Sequence, residues 1–154
     1  MNKPHYRNKA LWLLLAITFL LSGCALQLLS DFDEKSLGGM ERIGQKVNRF
    51  YLGLSYQAKD ERLYKASHNL YVNIEADLEA LKSRQMIRPV NELTLKQVEI
   101  ALKLWREDRL HHKAADTLSD FLIKRRKSQY QRLFLAMIKG EEAKQKVTAG
   151  GKKI

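Results

Sequence analysis

Apolar residues return every third or fourth position along most of this chain, the spacing of one face of an α-helix. The first stripe is Leu37, Met40, Ile43, Val47, Phe50 and Leu54, which predicts a helix over roughly 34–56. Gly38, Gly39, Gly44 and Gly53 fall inside it. Each costs about 1 kcal/mol relative to alanine, so tertiary packing has to compensate. A second stripe, Leu63, Ser67, Leu70, Ile74, Leu78 and Leu81, widened by Tyr71, predicts a helix capped by Asp60 and running to about Arg84. Pro89 disfavours helix at Arg88 and makes 86–93 a connection. Thr94-Leu95-Lys96-Gln97 has the form of a capping box, with the threonine oxygen taking an amide proton and the glutamine reaching back. It opens a third helix that carries Leu95, Val98, Leu102 and Trp105 to about His112. Asp116 or Thr117 starts a fourth, with Leu118, Phe121, Leu122, Tyr130, Leu133, Phe134, Met137 and Ile138 as its apolar face.

Four helices with short links cannot bury their stripes separately. The expected fold is therefore all-α, an antiparallel up-down bundle over 34–146. No run alternates convincingly with the period of two that a half-buried strand requires. Residues 147–154 read as a disordered basic tail.

The chain ahead of the bundle follows a different pattern. MNKPHYRNK carries Lys3, Arg7 and Lys9 and no acid, and Ala10–Leu21 is apolar except for Thr18. A basic segment, a short apolar run and then small residues make an export signal. A core helix would need an amphipathic period, and this block has none. At its end stands Leu21-Ser22-Gly23-Cys24, containing the single cysteine of the chain.

This quartet resembles the lipobox of bacterial lipoproteins. The resemblance implies recognition of Leu21, Ser22 and Gly23 by the lipoprotein signal peptidase, cleavage after Gly23, and diacylglycerol on the Cys24 thiol with acylation of the new amino terminus. Residues 1–23 are then the signal peptide and 24–33 the lipidated tether. The rival reading is an uncleaved anchor, since residues 10–29 are long enough to span a bilayer. In both, the basic residues ahead of the run place the N-terminus in the cytoplasm and the remainder across the membrane. Ala25 stands where many enterobacterial lipoproteins retained in the inner membrane carry aspartate, so the resemblance favours the outer membrane.

The segments LYKASHNLYVNIEADLEALKSR, LTLKQVEIALKLWREDRLHH and YQRLFLAMIKGEEAK extend the likeness. Over most of 31–146 the chain resembles small bacterial lipoproteins with all-helical domains. That resemblance implies fold and location and brings no activity.

With Cys24 lipidated, the exported domain has neither thiol nor disulfide, and packing alone must hold it. The first 23 residues contain three of the 28 basic residues and none of the 17 acidic ones, so the remainder stays strongly basic. A basic domain outside the cytoplasm can lean on anionic lipid or on an acidic envelope protein. Nucleic acid is not expected there.

The usual patterns of catalytic and metal chemistry do not assemble. His111 and His112 are adjacent and so point about 100° apart on a helix, whereas ligand pairs want a spacing of three or four. Asp108 and His112 have that spacing but lack a second pair, and a helix C-terminus favours polar or cationic residues in any case. Glu75 with Glu79, and Asp31 with Glu34, share faces as solvated carboxylates do. Gly38-Gly39 lacks the following GK[ST] of a phosphate loop. Tyr51, Tyr56, Tyr64, Tyr71, Tyr130 and Trp105 read mostly as core or boundary residues. We therefore expect no enzyme, no cofactor and no metal.

Lys124, Arg125, Arg126 and Lys127 form the densest charge run and are the candidates for contact with an anionic surface. Their competing reading is a solvated stretch in mid-helix. The function expected is that of a membrane-anchored lipoprotein whose periplasmic helical domain is an interaction or structural module. The alternative is a carrier of an acidic or lipidic ligand, using a basic band or a cavity in the bundle.

Overall fold

In a computed structural model the described residues are 29–151, so Leu21, Ser22, Gly23 and Cys24 lie outside them. Four α-helices follow one another: α1 (Glu34–Ser55), α2 (Tyr64–Met86), α3 (Glu92–Ala115) and α4 (Asp120–Gly151). A single 3-10 turn, Lys59–Glu61, interrupts the connection after α1. The most extensive contacts join α1 to α4 and α2 to α3, and contacts of α1 with α2 and of α3 with α4 complete the ring. Neighbours are antiparallel: Asp33 at the start of α1 meets Arg84 near the end of α2, and Tyr71 early in α2 meets Trp105 late in α3. This is the expected up-down bundle. We call the end holding the start of α1 the base and the opposite end the crown.

The apolar stripes meet in one core. Phe50 and Tyr51 of α1, Tyr71 of α2, Trp105 of α3 and Tyr130 of α4 are buried together, with ring centroids 4.7–6.2 Å apart and mostly edge to face. Each such pair adds about 0.5–1.5 kcal/mol beyond area burial. The indole N–H of Trp105 donates to the Tyr71 carbonyl at 2.9 Å, so the largest core side chain has no unsatisfied polar atom. Below this layer Met40, Ile43, Val47, Leu78, Leu81, Val98 and Met137 fill the bundle towards the base. Phe134 of α4 packs directly on Gly44 of α1, where a Cβ would lie 3.1 Å from its ring. That contact is the packing that offsets a glycine in mid-helix.

Several boundaries and faces differ from the sequence reading. Asp60 lies inside the 3-10 turn and α2 begins at Tyr64, because Leu63 adopts extended backbone first. The buried face of α2 is Ser67, Tyr71, Ile74, Leu78, Leu81 and Gln85, while Leu63 and Leu70 are exposed. The expected stripe, with Tyr71 beside it, therefore holds except at these two leucines, and Gln85 extends the buried face by one more turn. Helix α3 starts at Glu92, so Thr94 is a buried first-turn residue and not a cap. Helix α4 starts at Asp120, preceded by Asp116 in the left-handed region at φ 59°. Phe121 is exposed and Ile123 takes its place in the core. Helix α4 also runs on to Gly151, into the segment read as a tail.

Candidate functional site

Between and around the apolar layers, ionisable side chains are buried at three levels. At the base, Glu141 of α4 is fully buried. Its Oε1 accepts from the Asp33 backbone N–H at 2.9 Å and from Arg88 Nη2 at 2.8 Å, and its Oε2 accepts from Lys144 Nζ at 2.8 Å. Lys144 donates in turn to Asn91 Oδ1 and Thr94 Oγ1 at 2.9 and 3.0 Å. Gln85 joins the layer through Ser36 and Asn91. Burial pushes the Glu141 carboxyl up, but the hydrogen bonds from Arg88, Lys144 and Asp33 outweigh it and leave the group below its ordinary range. Arg84 grips Asp33 with two bonds, 2.5 and 2.7 Å, and holds that carboxyl well below the usual carboxylate range against partial burial.

This base layer also captures the incoming chain. Ser30 is buried, its N–H donates to the Val90 carbonyl at 3.1 Å, and its hydroxyl donates to Asn91 Oδ1 at 2.9 Å. Val90 is held at φ 52°, a region β-branched residues avoid. The clamp thus fixes where the N-terminal segment meets the bundle.

At mid-height Asp108 of α3 is buried and accepts from Tyr51 Oη at 2.6 Å and Tyr130 Oη at 3.1 Å. The Arg126 guanidinium closes the site from α4, with Nε 2.6 Å from Asp108 Oδ1. Burial raises the Asp108 carboxyl above its ordinary value despite these partners, and burial raises both tyrosines far above theirs. At the crown, Arg62 is buried and donates to the Gln57 and Leu118 carbonyls, with Asp120 2.7 Å away. It ties the first interhelical connection to the third. His112 lies beneath it, fully buried, with Nε2 2.8 Å from the Arg62 carbonyl and Nδ1 3.2 Å from Tyr71 Oη. Desolvation lowers its pKa, so the ring is neutral, and its contact with a carbonyl makes Nε2 the donor. The sequence reading of polar or cationic residues at a helix C-terminus holds for the position of His112 in the last turn, but the residue is a buried polar one.

The charge run is divided by the same packing. Lys124 and Arg125 are exposed, in the second turn of α4 and not in mid-helix, while Arg126 turns inward to Asp108 and Lys127 is half-buried. The four cations therefore do not share one face. The run also sits towards the crown, about 25 Å along α4 from Glu141 at 1.5 Å per residue. Glu75 and Glu79 pair with Arg106, and Arg109 adds to Glu75, so these acids tie α2 to α3.

Two further surface features stand out. A groove of about 360 Å³ runs between α1 and α2, floored by Phe50, Leu54, Leu70 and Ile74 and edged by Lys46 and Arg49. At the base, Leu29, Met86, Ile87, Val90 and Leu93 are exposed, Ile87 at 81% and Leu93 at 76%. Among the described residues, no three or more His, Cys, Asp or Glu side chains are placed to hold a metal ion, and no helix is long and apolar enough to cross a membrane.

The sequence reading weighed Asp108 only as a metal ligand beside His112, and it did not single out Arg62, Arg88, Glu141 or Lys144 as buried partners. Their signal was present in the stripes: Met137 is followed at helical steps by Glu141 and Lys144, and Trp105 by Asp108 and His112. No protein-family model matches the chain, and no curated protein or solved structure matches it.

Proposed function

We propose that this chain is a lipid-anchored protein of the bacterial envelope, its periplasm-facing bundle serving as a non-catalytic interaction or structural module. One observation carries the reading. Ser30, six residues after the cysteine of the Leu21-Ser22-Gly23-Cys24 quartet, is clamped into the base by Val90 and Asn91. A lipid on Cys24 would then hold the bundle within a short fixed reach of the bilayer, at most about 22 Å for six extended residues. Two or more acyl chains suffice for stable anchoring, where one is marginal. The buried ionisable groups support a structural role. Glu141, Asp108 and His112 each bind partners from neighbouring helices or connections, which is what a rigid module requires. Ala25 after the cysteine favours the outer membrane.

Lys124 and Arg125, near the crown, face away from an anchoring bilayer at the base and lie beyond the roughly 8–10 Å screening length of physiological salt. They suit an acidic envelope protein better than the lipid that holds Cys24. A second reading, a carrier of an acidic or lipidic ligand, is favoured by the groove between α1 and α2. Its apolar floor and the cations Lys46 and Arg49 match a carboxylate with a hydrocarbon tail.

The decisive measurement is the intact mass of the protein recovered from bacterial membranes. It should lack residues 1–23 and carry acyl chains on Cys24, and Cys24→Ser should leave the full-length precursor. A retained N-terminus with a freely titrating Cys24 thiol would overturn the proposal.

A further inference from the structure

We infer that the apolar base of the bundle is a membrane-seating surface, with Ile87 and Leu93 dipping into the headgroup region of the bilayer that anchors Cys24. This rests on the lipid-anchor reading above and adds an orientation to it. Three observations converge on the base.

The first is the surface itself. Met86 ends α2, Ile87 and Val90 belong to the turn between α2 and α3, Leu93 to the first turn of α3, and Leu29 to the chain just before the Ser30 clamp. The hydrogen bond from Ser30 to Val90 brings these segments together at one end of an antiparallel bundle. Exposed large apolar side chains scattered singly need no explanation, but a grouping at one end marks an interaction surface.

The second is the length and composition of the chain that leads there. Between Cys24 and Ser30 stand Ala25, Leu26, Gln27, Leu28 and Leu29. A linker meant to hold a domain away from its anchor is long and polar. This one is short and almost wholly apolar, and the clamp fixes its end, Ser30, at the base. Its reach, at most about 22 Å, is less than the roughly 33 Å height of a 22-residue helix. The base is therefore the end of the bundle that the anchor holds nearest the lipid.

The third is charge. Asp31 and Glu92 lie at the same end, beside Arg84 and Arg88, so the base offers no uniform cationic face. Its attraction to lipid is burial of apolar area, at about 25 cal/mol per Å², and so depends little on salt. The binding surface is the lipid interface itself, and neither anionic lipid nor a particular headgroup is required.

The test uses the full acylated protein in phosphatidylethanolamine and phosphatidylglycerol vesicles. Because Cys24 is the sole native cysteine, an introduced cysteine is the only free thiol once Cys24 carries lipid. Ile87→Cys and Leu93→Cys report the base, and Tyr56→Cys, 82% exposed near the crown, is the control. Each is labelled with an environment-sensitive fluorophore and challenged with lipids bearing a shallow spin-label quencher. Seating predicts blue-shifted emission at 87 and 93 that falls by half or more with quencher lipid, equally at low and high salt, and no change at 56. Absence of quenching at 87 and 93 in protein whose mass shows the Cys24 acyl groups overturns the seating and leaves the anchor intact. A blue shift without quenching means that a second copy or another protein covers the base, and overturns it too. Equal quenching at all three sites means a bundle lying on its side and overturns the seating on the base. Protein without acyl groups on Cys24 overturns the anchor reading, and the seating falls with it.

Discussion

Arg88 Nη2 lies 2.8 Å from Glu141 Oε1, joining the turn between α2 and α3 to the far part of α4 across a fully buried carboxylate. Removing one member of a buried pair leaves the other desolvated without its counterion. Arg88→Met should cost about 3 kcal/mol, at the lower end of the usual range because Lys144 remains on Oε2. Arg106→Met, which breaks half-exposed pairs with Glu75 and Glu79, should cost under about 1 kcal/mol. Urea unfolding followed by helical circular dichroism gives both. Equal losses would show that the base layer is no more than a surface ion pair.

Acid should destabilise the bundle in two stages. His112 has a depressed pKa when folded, so the unfolded chain binds its proton first. Its contribution is complete above about pH 6.5 and is lost as pH falls through the folded value, at up to about 1.4 kcal/mol per pH unit. Glu141 and Asp33 are also depressed, so theirs is present above their unfolded values near 4.5 and 3.8 and lost below them. Asp108 is raised and works in the opposite sense, its stabilisation greatest at low pH and declining as pH rises through the folded value. Stability measured from pH 7.5 to 5.5 should fall in wild type and stay flatter in His112→Gln. A wild-type plateau across that window would mean the ring takes a proton in place.

How much of this could be read beforehand follows from what the stripes record. Spacing reports which way a position points, so α1 and the up-down order were legible from Met40, Ile43, Val47 and Phe50. It does not report what a polar residue at such a position will meet. Gln85, Arg88, Asp108, His112, Glu141 and Lys144 occupy inward positions, yet their partners come from other helices and from the connections. Those pairings exist only once the bundle closes, and a one-dimensional pattern cannot show them. Thr94 misled for a related reason: the local capping pattern was sound, but Lys144 of α4 claims its hydroxyl and the helix begins two residues earlier.

Glycines on α1 and α4 should respond differently to alanine. A Cβ at Gly140 meets nothing within 4 Å, so Gly140→Ala should stabilise by about 1 kcal/mol through helix propensity. At Gly44 the new methyl would press on Phe134 of α4 at 3.1 Å. Gly44→Ala should therefore gain nothing or lose about 1–3 kcal/mol through overpacking. Thermal midpoints of the two variants on either side of wild type would bear this out, and a matching gain at both would show the α1–α4 contact to be loose.

Val90 holds a left-handed backbone to present its carbonyl to Ser30. For a β-branched residue this stores about 1–3 kcal/mol of strain, which asparagine tolerates with much less cost. Val90→Asn should raise stability by about 1 kcal/mol, read as a higher denaturant midpoint. A fall of that size would mean that the exposed valine side chain contributes more than its strained backbone costs.

The run Lys124–Lys127 should separate by position when tested singly. Lys124 and Arg125 are exposed, so Lys124→Gln and Arg125→Gln should change stability by no more than about 0.5 kcal/mol. Arg126 lies against buried Asp108, and Arg126→Gln leaves that carboxylate with two tyrosine hydroxyls and no counterion. The expected loss at pH 7 is about 2–3 kcal/mol. Burial already raises Asp108, and losing Arg126 removes a lowering influence, so its folded value climbs further. The carboxyl in the variant is then neutral over a wider acid range, and the difference from wild type should shrink as pH falls. If Arg126→Gln is as mild as its two neighbours, Asp108 is satisfied by Tyr51 and Tyr130 alone and the arginine belongs to the surface run after all.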